Sequence, residues 1–265
     1  MPGAERGIVI QERDRRLLEE LAVMRVVDRE QARMVSGFTS VTRVNTRLLA
    51  LTRAGLLRRF FLGAAAAGRK SLYTLSARGA ALVGVPARGP RRRSDEVLVA
   101  DFFISHQLAI NQVYCSMKRR ELPQGVSFVR WLSFQQPITD RLHLIPDGYF
   151  ELGTPNGTMA AFVEVDLGHE SLGVWKQKVR HYLELALSGE YERRFGQNQF
   201  RVLVVVNSER RLLSIRTAVR ALTQKIFWFA TLASVDSGNI FGPAWLRPEG
   251  DDRQSLLPQT YQVTP

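Results

Sequence analysis

All of the excess positive charge of this 265-residue chain lies in its first third. Residues 1–93 carry 19 Lys and Arg against 7 Asp and Glu, and residues 94–265 carry 18 against 18. One folded unit seldom concentrates charge so unevenly. The split predicts two parts, a cationic one suited to a polyanion and a neutral one with another task. The length allows one large domain or two small ones. No apolar run approaches the roughly 18–20 residues of a membrane span, and the start MPGAERG has no signal-peptide core. A single cysteine, Cys115, excludes an internal disulfide and a cysteine-based zinc site. The reading is a reduced, cytoplasmic protein with no membrane partner and no small-molecule cofactor. Its basic third points to nucleic acid rather than a lipid surface, because its arginines are not gathered on one amphipathic helix.

The basic third has helix-turn-helix spacing. Leu17, Leu18, Leu21 and Met24 recur at helical period over Glu12–Met24. Asp28 with Gln31 predicts a cap for a short helix that ends at Gly37. Thr39 or Ser40 then opens a third helix, Val41–Ala54, with Val44, Leu48, Leu49 and Leu51 inward. The exposed positions of its N-terminal half are Ser40, Thr42, Arg43, Asn45, Thr46 and Arg47. Arginine can read guanine and asparagine adenine in a major groove, or the same arginines simply solvate a helix face. Two strands follow, Leu56–Leu62 and Ser71–Leu75, joined by Gly63–Gly68, with Arg58, Arg59, Arg69 and Lys70 placed for phosphate contact. This run resembles the winged-helix family as a class. The segment 85–94, rich in Pro and Gly, reads as a linker whose Arg91, Arg92 and Arg93 either follow a phosphate backbone or keep a hinge soluble. The expected domains are 1–84, a linker 85–94, 95–246, and a mobile tail 247–265.

In the neutral part a helix over Asp95–Arg120, apolar nearly all round, is expected between layers. Strands are expected over Val126–Phe134, Leu142–Leu152 and Thr158–Leu167, then a helix Ser171–Leu187, a strand Phe200–Val206, a helix Glu209–Leu222 and a strand Phe227–Thr231. A strand–helix–strand crossover implies parallel pairing, hence an α/β or α+β sandwich. Asp147, expected within a strand, and Glu164 come together if the two strands form a hairpin, with Asp166 on the same side as Glu164. Like charges so close repel unless a cation lies between them, and Mg²⁺ or Mn²⁺ takes one or two carboxylates plus water and phosphate. His169 is a lesser candidate base, and His106 reads mainly as a core histidine.

Pro146, Asp147 and Glu164 resemble the PD-(D/E)xK nuclease superfamily. The resemblance implies Asp147 and Glu164 as metal ligands in a restriction-endonuclease-like sandwich. Asp166 stands where that pattern has its water-activating lysine, a departure that counts against catalysis unless the lysine has moved to the next helix. Lys178 and Lys176 flank that helix's apolar stripe of Trp175, Val179, Tyr182, Leu183 and Ala186; snorkelling at a core boundary is the simpler account of both. Over most of the chain, segments such as RDRRLLEEL, LTRAGLL, YTLSARGAALVG, IPDGYFEL, FVEVDLGHES and WKQKVRHYLE resemble the replication-relaxation family of plasmids and mobile elements. That resemblance implies a DNA-binding protein of plasmid replication or relaxation. Two readings stand: a metal-dependent DNA nickase or endonuclease, in which Asp166 adds charge or a ligand, or a non-catalytic regulator whose nuclease-like part serves homodimerisation or partner docking. No heptad run specifies a dimer.

Overall fold

The computed structural model describes residues 8–62, 70–86, 97–118, 122–237 and 240–257. It divides the chain into two compact units, Met1–Asn111 and Gln112–Pro265.

In the first unit α1 (Glu12–Met24) starts from a capping box in which Asp14 accepts the Gln11 N–H at 2.6 Å. β1 (Val27–Asp28) leads into α2 (Arg29–Ser36), where the Asp28 carboxylate caps Gln31 N at 2.8 Å. Gly37 ends α2 in the left-handed region, at φ +70°. α3 (Val41–Arg53) buries Val44, Leu48 and Leu51. β2 (Leu57–Leu62) and β3 (Lys70–Leu75) follow, then α4 (Ala77–Leu82). The antiparallel sheet has the order β1-β3-β2. The elements of this unit thus follow one another as helix, strand, helix, helix, strand, strand, helix before α5 begins.

α5 (Val97–Lys118) takes a place that the sequence does not suggest. Instead of lying wholly between layers of the neutral part, it gives its residues up to Asn111 to the first unit. Ile104 and Leu108 pack with Val26 and Leu72. Asn111 donates to the carbonyls of Val26 (2.6 Å) and Met24 (3.2 Å), which flank Arg25, held at φ +63°. Gln31 donates to Leu108 O at 2.8 Å rather than completing a capping box. Buried backbone carbonyls need donors, and this helix supplies them.

The second unit is built on one five-stranded sheet: β4 (Ser127–Leu132), β5 (Gly148–Thr154), β6 (Gly157–Asp166), β7 (Arg201–Val206) and β8 (Phe227–Thr231), in that spatial order. β4, β5 and β6 are antiparallel, and β6, β7 and β8 are parallel. α6 (Leu172–Leu187), α7 (Glu190–Phe195) and α8 (Glu209–Arg220) supply the crossovers. Trp175, Val179 and Tyr182 of α6 and Leu212 and Ile215 of α8 close one core with Phe162, Val202, Val204 and Phe229. On β5, the Trp131 ring takes the space beside Gly148, where a Cβ would meet it at 2.3 Å. α9 (Leu232–Ser237), β9 (Pro243–Trp245) and β10 (Gln254–Ser255) complete the unit. The fold class is mixed α/β. Among the described residues no helix is long and apolar enough to cross a membrane.

β5 begins six residues later than the periodicity of 142–152 suggests. Pro146 has no N–H to give a ladder, so pairing starts at Gly148. Leu142 and Leu144 are buried as irregular chain. Asp147 therefore sits at the mouth of the strand rather than inside it.

Candidate active site

The antiparallel pairing Gly148↔Val163 sets Asp147 beside Glu164. Asp147 Oδ2 accepts the Val165 N–H at 2.7 Å, so its side chain continues the ladder that Pro146 interrupts. Glu164 is 1% exposed, mid-sheet on the face that α6 covers. Two residues of α6 one turn apart reach it: Lys178 Nζ donates to Oε2 at 2.8 Å, and Tyr182 Oη to Oε1 at 2.6 Å. Lys178 also pairs with Glu170 Oε1 at 2.8 Å.

Burial pushes the Glu164 carboxyl up; Lys178 opposes this and Asp147 adds to it, leaving it at about 7. Burial alone would lower Lys178, but Glu164 and Glu170 outweigh it and hold the ammonium charged above its ordinary range. Burial and the adjoining Glu164 keep the Tyr182 phenol protonated, well above its usual value.

Asp166 lies on the same face but has a different employment. In place of the metal ligand or free charge expected there, it is the counterion of Arg211, which donates from Nε (3.0 Å) and Nη2 (2.6 Å). Trp175 Nε1 adds a bond at 2.6 Å and Gly168 N another at 2.5 Å. Burial raises this carboxyl, but the Arg211, Trp175 and Gly168 donors prevail and hold it below the ordinary aspartate range. Lys176 is exposed and makes no ion pair among the described residues; Lys178 is the lysine that reaches the acids.

Sequence reasoning placed Tyr182 and Trp175 in an apolar stripe and missed their polar ends. The available signal was the four-residue step between Lys178 and Tyr182, which puts both on one side of α6. Glu170 and Arg211 were missed as well, because neither lies in a strand.

The candidate DNA-reading residues separate in a similar way. Thr42, Arg43, Asn45 and Thr46 are exposed on α3, the Thr46 hydroxyl bonded to Thr42 O. Ser40 is half-buried at the N-cap position and makes no side-chain cap bond. Arg58 and Arg59 are exposed on β2, with Arg59 over the Phe61 ring. Lys70 is exposed but pairs with Asp28 at 2.5 Å. Arg47 is a correction: it faces inward and grips the fully buried Asp14 with Nε (2.6 Å) and Nη2, and also meets Val9 O. A carboxylate with no access to water requires a cation, and position 47 adjoins the buried positions 44, 48 and 51. Arg69, Arg91, Arg92 and Arg93 lie outside the described residues.

Among the described residues no three His, Cys, Asp or Glu side chains converge as a metal cage. Asp147 and Glu164 supply two hard carboxylates, the number that Mg²⁺ commonly takes from a protein alongside water and phosphate. Each carboxylate oxygen bonded to one donor keeps a second acceptor direction. The pair thus fits such an ion.

Two solved structures match this chain. For the restriction endonuclease FokI the identity is 12% and the TM-score 0.35, over 86% of this chain and 43% of that one. For FokI bound to DNA the values are 12%, 0.34, 85% and 44%. This chain spans less than half the length of either. No curated protein matches it. The family model described as replication-relaxation matches residues 13–200, well over half the chain, and the protein belongs to that family.

Proposed function

We propose that this protein binds DNA through its basic winged helix and cleaves or nicks it in the sheet unit, in the replication or relaxation of plasmid or mobile-element DNA. The observation that carries the reading is Lys178 on Glu164 beside Asp147. Two acids and a lysine meet at one place even though Asp166 occupies the lysine's usual position two residues past the acid.

Asp147 and Glu164 would hold Mg²⁺ or Mn²⁺. Such an ion, when bound, lowers the pKa of a water and stabilises a leaving oxygen. Tyr182 fixes the rotamer of Glu164 by its bond to Oε1. The Lys178 ammonium, anchored by Glu170, supplies a positive charge next to the acids where a phosphodiester would gain negative charge. α3 and β2 offer Arg43, Asn45, Arg58 and Arg59 to a duplex.

A second reading has its own support: both Glu164 oxygens already accept donors from the chain. An acid satisfied without an ion suits a non-catalytic regulator whose sheet unit serves dimerisation or partner docking. The test is cleavage of supercoiled, linear and single-stranded DNA with Mg²⁺ and with Mn²⁺, using Asp147→Asn as control. Ion-dependent cutting that the substitution abolishes supports the enzyme. DNA binding without cutting under all of these conditions leaves the regulator.

A further inference from the structure

At the end of β6 remote from Glu164, a cavity of about 240 Å³ opens between the β5–β6 hairpin and the start of β7. Polar residues are prominent in its lining: Thr154, Asn156, Thr158, Gln199 and Arg201. Among the described residues that line it there is no carboxylate. Arg201 lies over the Trp228 ring, 4.6 Å from the centroid, and Arg247 lies over the same ring at 4.5 Å. Neither arginine has an acidic partner among the described residues. Their bonds go to backbone carbonyls, Arg201 to Leu256 O and Arg247 to Gln224 O. The nearby Glu249 is engaged by Gln224 at 2.6 Å and Arg220 at 3.8 Å.

Two guanidiniums on one indole, with no counterion among the described residues, repel each other, and both are partly withdrawn from water. Burial and the neighbouring Arg247 lower Arg201, and burial lowers Arg247. The chain also holds Ile226, two residues before Trp228, at φ +52°. That is an uncommon conformation for a β-branched residue, of the kind that persists where the surroundings over-determine it. A ring can share two cations at a partly buried site, but an oxyanion would offset the repulsion directly and fit the fork of a guanidinium.

We propose that this cavity binds a phosphoryl group, with Arg201 as the direct ligand, Arg247 over the same Trp228 ring as the supporting charge, and Thr158 and Gln199 as neutral donors. The site is separate from the acid cluster and does not depend on whether that cluster cleaves DNA. Its ligand is either a terminal phosphate monoester or the diester of a nucleic-acid backbone.

The test follows tryptophan fluorescence of the full chain as inorganic phosphate replaces chloride at constant ionic strength, with Trp228→Phe to assign the signal. The expected result is a saturable change that Trp228→Phe removes, and that Arg201→Gln and Arg247→Gln each weaken about tenfold. Circular dichroism confirms that each variant is folded. If Arg201→Gln is unfolded, the Arg247→Gln result decides. Competition by an oligothymidylate with a 5′-phosphate but not by one without it identifies the monoester; equal competition identifies the diester. No saturable response in the folded wild type, or unchanged affinity in a folded Arg201→Gln or, failing that, Arg247→Gln variant, overturns the proposal.

Discussion

Lys178 Nζ lies 2.8 Å from Glu164 Oε2, although the two residues are 14 positions apart and belong to a helix and a strand. The bond joins α6 to β6 across the core face of the sheet. A snorkelling lysine would turn its ammonium to solvent; this one is 21% exposed and turned between two acids. If the site cleaves DNA, Lys178→Met should lower the rate by at least about 100-fold while DNA affinity changes little. Lys178→Arg should recover part of the loss. Single-turnover cleavage and a filter-binding isotherm measure the two separately.

Asp166 and Arg211 tie the end of β6 to α8. Arg211→Ala would leave Asp166, whose side chain is fully buried, with an uncompensated charge and should destabilise the fold by about 3–5 kcal/mol. Asp166→Asn should cost less, because an amide oxygen still accepts from Trp175 and Arg211. Urea unfolding gives both numbers. A cost near zero for Arg211→Ala would remove the structural role assigned to this pair.

Arg47 and Arg43 are four residues apart on α3 and should behave oppositely. Arg47→Ala strips the buried Asp14 of its cation and should cost about 3 kcal/mol of stability. Arg43→Ala should leave the melting temperature unchanged and relax sequence preference in DNA binding. A DNA-affinity panel run beside thermal melts separates these outcomes.

The Glu164 carboxyl titrates at about 7 in the folded protein, above its ordinary 4.5. A group shifted up in the fold contributes stability that is complete below about pH 4.5 and is lost as pH rises through about 7. The metal-free wild type should therefore lose more stability between pH 5 and pH 8 than Glu164→Gln does. Urea midpoints at the two pH values test the sign. Parallel behaviour of the two proteins would show that Glu164 is not the group responsible.

Gly148 gives way to the Trp131 ring, and a Cβ there would stand 2.3 Å from it. Gly148→Ala should displace Trp131 and destabilise the fold by about 1–3 kcal/mol. Because residue 148 follows Asp147 directly, the same variant should reduce any cleavage beyond what its stability predicts. Activity assayed well below the melting temperature distinguishes the two effects.

Much of this structure could be read from residue order. The period of Leu17, Leu21 and Met24, the cap at Asp28, and the crossover around α6 are local patterns, and local patterns survive folding. The pairing of Asp147 with Glu164 followed from the hairpin expected of two successive strands. What stayed hidden depends on distant contacts. Arg47 reads as surface until the buried Asp14 is known, and Asp166 reads as a free acid until Arg211 arrives from α8. α5 looks like one buried rod because apolar residues on all sides do not say which neighbour each side meets. α7 is too short to show a period between Gly189 and Gly196.

The bond from Val165 N–H to Asp147 makes this aspartate part of the architecture as well as a candidate reagent. A lineage that had stopped cutting DNA would still be under pressure to keep an acceptor at that spot, since an unanswered amide there is costly. Survival of the acid is therefore weak testimony to chemistry. Asparagine retains the acceptor oxygen and discards the charge, so it interrogates the reagent without disturbing the masonry, whereas alanine strikes both at once.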